Sequence, residues 1–95
     1  MRNIAEQFED LYSKWSLLDN VAKEAQLPDM ICRTQRMYQF LVITYNRKGF
    51  LTLDEYRWVE QVRQIGQYML SQKIHAAQDL WNEMMKQLAK MSMNK

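Results

Sequence analysis

The sequence predicts an all-α protein, a single helical domain over residues 1–95 with three helices, the last of which is long. Residues that interrupt helices are scarce, since Gly occurs twice and Pro once in the 95 residues, and few turns are therefore expected. Apolar residues also recur at spacings of three and four along most of the chain, which is the period of an amphipathic helix. A fourth helix is expected only if the last helix breaks between Gly66 and Lys73.

Helix one is predicted over about residues 3–26. Asn3 is a favourable N-cap, and Glu6 lies three residues later, where it can complete a capping box. The pair Asp19-Asn20 weakens the helix locally, because both side chains compete for backbone hydrogen bonds. Pro28 ends the helix, since it has no N–H and restricts the residue before it. The apolar stripe of helix one consists of Ile4, Phe8, Leu11, Trp15, Leu18, Ala22 and Ala25.

Helix two is predicted over about residues 29–46. Its second half is apolar nearly all round, so we expect it to be central and covered on several sides. The stretch from Phe40 to Tyr45 is β-branched and aromatic, which makes a strand the competing interpretation. We favour a helix because the rest of the chain offers no convincing partner strand.

Helix three is predicted over about residues 53–92. Gly49 can take the positive φ of a turn, Thr52 and Glu55 form a capping box, and Leu51 and Tyr56 occupy the positions of a hydrophobic staple. No Pro and no Asn-Gly turn follows, so the helix is expected to continue to the end of the apolar pattern.

The length of helix three raises the question of what covers it. A helix of roughly 40 residues is about 60 Å long, and helix one is much shorter. We therefore expect a homodimer through the C-terminal helix, in which a second chain covers the C-terminal half. The alternative is a bend between Gly66 and Lys73 that folds this half back as a fourth helix.

Composition and charge narrow the function classes. The formal net charge of +2 is close to balance and gives a nucleic-acid role little support. Cys32 is the single cysteine, so no intramolecular disulfide is expected, and we expect its side chain to be buried. The longest apolar run, Tyr38 to Tyr45, is too short to span a bilayer, and the polar residues after Met1 do not resemble a secretion signal. A cytoplasmic protein is therefore expected.

No constellation of residues predicts a catalytic, cofactor or metal site, so we expect that the protein is not an enzyme. The segment from Thr44 to Glu55 has the outline of a calcium-binding loop, but Lys48 places a cation where a carboxylate ligand is required. His75 is the only histidine, and it forms with Asp79, one helical turn later, a pair that is common on helix surfaces.

The apolar residues of the C-terminal half give the leading functional hypothesis. Methionine is an adaptable side chain that suits a groove or a partner helix, although the same residues can simply form the core of a bundle or dimer. We expect a non-enzymatic protein–protein interaction module, such as a small regulator, inhibitor, chaperone or immunity-type factor, whose partner is another protein. The predicted partner-binding residues are Trp81, Met84, Met85, Leu88 and Met91.

Arginines on two helices give a second hypothesis, a small helical transcription regulator that binds DNA. Arg33 and Arg36 share one side of helix two, and Arg57 and Arg63 lie on helix three. Arginine recognises guanine edges, and a capped helix after a short turn can enter the major groove. Acidic residues in the same part of helix three would repel phosphate, and a solvated face is the alternative interpretation.

One stretch resembles a known family. From Thr44 to Gly66 the chain has a basic Gly turn followed by the run Thr52-Leu53-Asp54-Glu55-Tyr56. This resembles the helical hairpin of pediocin-type bacteriocin immunity proteins, which are small cytoplasmic helical bundles of similar length. The resemblance covers under a quarter of the chain and implies an immunity-like role as a further alternative.

Overall fold

The computed structural model describes residues 3–75 and 77–93, and within them the chain forms five α-helices and no strand. The all-α class is confirmed, whereas the expected arrangement of three or four helices is not. Both additional helices arise where a predicted long helix is interrupted. The helices are α1 (Ile4–Ser16), α2 (Asn20–Ala25), α3 (Leu27–Lys48), α4 (Leu53–Ser71) and α5 (Gln78–Met93).

Helix one, predicted over residues 3–26, is two helices in the structure. Asn3 caps α1 as expected, because its side-chain oxygen accepts a hydrogen bond from the Glu6 N–H at 2.8 Å. The interruption falls before Asp19, whose side chain accepts from the N–H of Ala22 at 2.9 Å and begins α2. Aspartate is more favourable as an N-cap than inside a helix, so the prediction of one continuous helix is wrong here.

α3 extends beyond the predicted range 29–46 at both ends, and its helical character through Phe40 and Tyr45 is confirmed. The expected cover on several sides is not present throughout, because Ile43 is 63% exposed. Cys32 is exposed as well, contrary to expectation. The helix instead buries one stripe at spacings of three and four, formed by Leu27, Met30, Thr34, Met37, Leu41 and Thr44.

The connection between α3 and α4 follows the prediction. Gly49 has a φ of 82° and takes the left-handed conformation. Thr52 Oγ1 accepts the Glu55 N–H at 3.3 Å, and Glu55 Oε1 accepts the Thr52 N–H at 2.7 Å, so the capping box is present. The same carboxylate accepts hydrogen bonds from Lys48 Nζ at 2.8 and 3.0 Å. The last residue of α3 is thereby tied to the first turn of α4.

The predicted continuous helix over residues 53–92 is wrong, since α4 ends at Ser71 and α5 begins at Gln78. The structure has the fold-back that the sequence offered as the alternative to a dimer. The break lies at the end of the expected interval and beyond it, while Gly66 is itself helical.

A Schellman motif ends α4 and turns the chain. The N–H of Ile74 donates to the Met69 carbonyl at 2.9 Å, and the N–H of Lys73 donates to the Leu70 carbonyl at 3.1 Å. This motif requires a left-handed residue, which is usually glycine, but here it is Lys73 with a φ of 57°. Ala77, immediately before α5, has the same φ.

α1 and α4 lie side by side and run in the same direction. Glu9 accepts hydrogen bonds from Arg57 at 3.1 Å and from the indole of Trp58 at 3.0 Å. Further along both helices, the rings of Trp15 and Tyr68 meet edge to face with centroids 5.1 Å apart. α3 packs against both helices, α5 returns along α4, and one buried cluster joins these four elements. α2 adds no buried residue.

Candidate binding groove

The face predicted to bind a partner is mostly buried within the chain itself. Trp81, Met84, Leu88 and Met91 are 6%, 0%, 1% and 1% exposed, and Met85 is half-buried. The surface that a second chain was expected to cover is thus covered by the rest of the same chain. The length of the C-terminal segment therefore gives no reason of its own to expect a homodimer.

The return of α5 along α4 leaves a groove of about 540 Å³ between the two helices. Pockets that bind ligands commonly enclose roughly 300–1,000 Å³ and combine an apolar lining with a few polar groups. The groove has this character, since its apolar lining residues include Met69, Leu70, Ile74, Trp81, Met85 and Leu88.

Gly66 allows α5 to lie close to α4 beside this groove. A Cβ atom at Gly66 would lie 3.3 Å from Cε3 and 3.5 Å from Cζ3 of Trp81. The indole therefore packs directly on the backbone of α4. Glycine inside a helix costs about 1 kcal/mol relative to alanine, and the close approach of Trp81 offsets this by burying a large aromatic surface.

The charged residues that line the groove are all basic. Arg63 and Lys73 are lining residues together with His75, and among the described residues no aspartate or glutamate lines the groove. Arg63 Nη1 forms an exposed pair with Glu60 Oε2 at 3.5 Å, and exposed pairs of this kind contribute little energy. The groove thus offers an apolar surface with positive charge at its edge.

Trp81 also carries an unused hydrogen-bond donor. Its Nε1 atom is buried and has no acceptor within residues 3–75 and 77–93. A buried N–H without a partner costs on the order of 1–3 kcal/mol.

The arginines proposed for DNA binding do not form a free basic face. Arg33 lies 3.7 Å from Asp29, and Arg57 lies 3.1 Å from Glu9. Arg63 pairs with Glu60, as described above, and Arg36 is an exposed residue of α3. Three of the four therefore lie beside carboxylates of the same chain, which lowers the positive potential offered to phosphate, to the same limited extent as Glu60 lowers the charge of Arg63 at the groove.

The remaining sequence features that were considered for metal binding or a membrane span do not form such sites in the described residues. Lys48 pairs with Glu55 across the turn that had the outline of a calcium-binding loop. Within the described residues, no group of three or more His, Cys, Asp or Glu side chains could hold a metal ion. No helix in that same part of the chain is long and apolar enough to cross a membrane.

Leu70 and Ile74 line the groove but were not recognised from the sequence. Leu70 follows the buried Met69 and is 74% exposed, so it lies off the apolar stripe of α4. An apolar residue outside a stripe is a weak signal, because isolated exposed leucines are common. The groove forms only after the chain reverses, and the sequence favoured a continuous helix over that reversal.

Comparison with known proteins leaves the family open: no family model, no curated protein and no solved structure matches the chain. The resemblance of the stretch from Thr44 to Gly66 to bacteriocin immunity proteins therefore stays a prediction from the sequence.

Proposed function

We propose that this chain is a non-enzymatic binding protein that captures an amphipathic helix of another protein in the groove between α4 and α5. The groove itself is the observation that carries the proposal. The apolar face of the captured helix lies against the groove lining, and acidic residues on its flank face Arg63 and Lys73.

Apolar contact supplies most of the affinity in this mode of recognition. Leu70 is 74% exposed in the free chain, so covering it removes a large apolar side chain from water, worth about 2 kcal/mol. Met69 and Met85 line the same groove, and methionine adapts its shape to different partner surfaces. Such an apolar groove suits a small regulator, an inhibitor, a chaperone or an immunity-type factor.

The charge pattern selects an acidic partner. The lining contains Arg63 and Lys73 without a carboxylate, so a basic helix would be repelled at the same positions where an acidic helix is attracted. Complementary charge of this kind contributes to specificity and association rate more than to total affinity.

We also propose a cytoplasmic location. Cys32 is an exposed free thiol, and such thiols persist in reducing compartments, whereas oxidising compartments favour disulfides.

Two synthetic helical peptides test the proposal. Both have about 20 residues with leucines at helical spacing, and they differ only in carrying Glu or Lys on the polar positions. Calorimetric titration should show tighter binding of the Glu peptide, and increasing salt should reduce the difference. Equal affinities for the two peptides at low salt would remove the charge argument.

The variant Leu70→Glu locates the binding site. It places a carboxylate in the groove and should weaken binding of the Glu peptide at least about tenfold, or roughly 1.4 kcal/mol. The matched control is Leu53→Glu, because Leu53 is also an exposed leucine of α4, 88% exposed, and does not line the groove. Unchanged binding by Leu70→Glu, or an equal loss in both variants, would contradict the assignment of the groove.

A further inference from the structure

We propose that α5 exchanges between two copies of this chain, so that the protein also forms a domain-swapped dimer in which α4 and α5 are one straight helix. This inference is independent of the function of the groove. It rests on the hinge between the two helices, residues 72–77, and on the pattern of residues on either side of it.

The hinge adopts a backbone that its residues disfavour. Lys73 and Ala77 both have a φ of 57°, in the region where side chains with a Cβ atom are strained and glycine is not. The residues from Gln72 to Ala77 include no Gly, Pro, Asn or Asp, so the hinge contains none of the residue types that favour a reversal.

The start of α5 is also poorly defined by the sequence. The Ala77 carbonyl accepts the Trp81 N–H at 3.0 Å, which places Ala77 where an N-cap residue stands. Alanine has no side-chain acceptor for this role. By contrast, Asn3, Asp19 and Thr52 all cap their helices with side-chain hydrogen bonds.

A straight helix through the hinge removes both unfavourable features, the left-handed residues and the uncapped start of α5. The strained residues then become helical, and the backbone groups of residues 72–77 enter the regular ladder of hydrogen bonds. Met69, Lys73, Ala77 and Trp81 follow one another at a spacing of four, so they lie along one side of such a helix. This row continues the buried face of α4 into that of α5, with Lys73 as its one polar member.

The contacts of α5 are kept in the exchanged state. The indole of Trp81 packs on Gly66 of the second copy instead of its own, and the same apolar residues are buried. Short strained hinges favour such an exchange, since the swapped and closed forms differ mainly at the hinge. The α4 surface of a second copy is therefore complementary to α5 in the same way as the α4 surface of its own chain.

The test uses the full chain with Cys32→Ser, because the exposed thiol could otherwise produce a disulfide-linked dimer. The protein is unfolded and refolded at high and at low concentration, and the mass of each species is measured by light scattering after size-exclusion chromatography. A dimer should form on refolding at high concentration. A monomer under all conditions would overturn the inference.

Glycine in the hinge should suppress the dimer. In Lys73→Gly/Ala77→Gly the closed hinge is relaxed and the straight helix is weakened about fivefold per glycine, so four glycines per dimer lower the association constant on the order of several hundredfold. The matched control, Lys73→Ala, keeps the strain and should dimerise at least as well as the parent. Equal dimerisation of the glycine variant and the parent would contradict the role of the hinge.

Hydrogen exchange distinguishes exchange of α5 from side-by-side association. The amides of His75 and Ala77 should be more protected in the dimer, because they join a continuous helix there, and should exchange faster in the monomer. A dimer whose hinge amides exchange as fast as those of the monomer would show that α5 is not swapped.

Discussion

Replacement of Glu55 tests how the two longest helices are held at their shared turn. Its side chain is 12% exposed and faces Lys48, which is 28% exposed. Glu55→Gln keeps an oxygen that can accept the Thr52 N–H but removes the negative charge opposite Lys48. Glu55→Ala removes the charge and the reciprocal half of the capping box together.

The free energies of unfolding of the two variants should differ by about the contribution of the capping hydrogen bond. Loss of the charge leaves a partly buried ammonium group without its counterion, which should lower the free energy of unfolding by about 1–2 kcal/mol in Glu55→Gln. Removing the cap hydrogen bond in Glu55→Ala should add about 1 kcal/mol. At roughly 4–8 °C per kcal/mol for a domain of this size, both changes are well within the resolution of thermal unfolding.

The effect should depend on pH. Burial acts to raise the pKa of Glu55, but hydrogen bonds from Lys48 and Thr52 outweigh it and lower the pKa below the ordinary value of 4.5. The charged carboxylate therefore stabilises the fold above pH 4.5, and this contribution is lost as the pH falls through the lowered pKa. The difference between the parent and Glu55→Gln should be largest at neutral pH and shrink in acid.

Urea unfolding followed by circular dichroism at several pH values measures these differences. The matched control is Asp54→Asn, because Asp54 is the neighbouring carboxylate, is 74% exposed and pairs only at 3.4 Å with the exposed Arg57. This control should change the free energy of unfolding by less than about 0.5 kcal/mol. If Glu55→Gln were as stable as the parent at neutral pH, the ion pair to Lys48 would not support the turn.

Two further substitutions test the packing on either side of α4. Gly66→Leu drives a side chain into the indole that packs there and should destabilise the fold by about 1–3 kcal/mol, measured by urea unfolding; full stability would mean that α5 does not dock at this point. Lys23→Met removes a charge that lies 5.1 Å from the ring centroid of Trp15 and 5.5 Å from that of Tyr68. Thermal unfolding should show a loss of about 0.5–1 kcal/mol, and a gain would indicate that the stem of Lys23, and not its charge, holds α2.

Two of the three helix starts that are capped by a side chain, those at Asn3 and Thr52, were predictable. Asn3, Thr52 and Glu55 are recognisable from their spacing, and all make the expected hydrogen bonds. The cap at Asp19 was misjudged, since the same residue that weakens a helix interior can instead begin a new helix. Local chemistry therefore located the starts of α1 and α4 and left the start of α2 ambiguous.

The reversal before α5 was not predictable from local chemistry. Lys73 stands where the Schellman motif normally has glycine, and Ala77 provides no cap, so the sequence has the signature of an uninterrupted helix. Tertiary packing of Trp81 and its neighbours against α4 offsets this local preference. The groove depends on that packing, and for this reason its lining residues Leu70 and Ile74 were not predicted. The apolar face from Trp81 to Met91 was predicted, but its cover was assigned to a partner and not to the same chain.

The three tryptophans occupy three different helix junctions, and this gives each part of the fold its own optical signal. The indole N–H of Trp15 donates to the Lys23 carbonyl at 3.2 Å, and that of Trp58 donates to Glu9. Among residues 3–75 and 77–93 the indole N–H of Trp81 has no such acceptor, and its side chain is only 6% exposed to water. Trp81 should therefore emit fluorescence at the shortest wavelength of the three. A red shift confined to the Trp81 signal would report the release of α5 while the rest of the bundle stays folded.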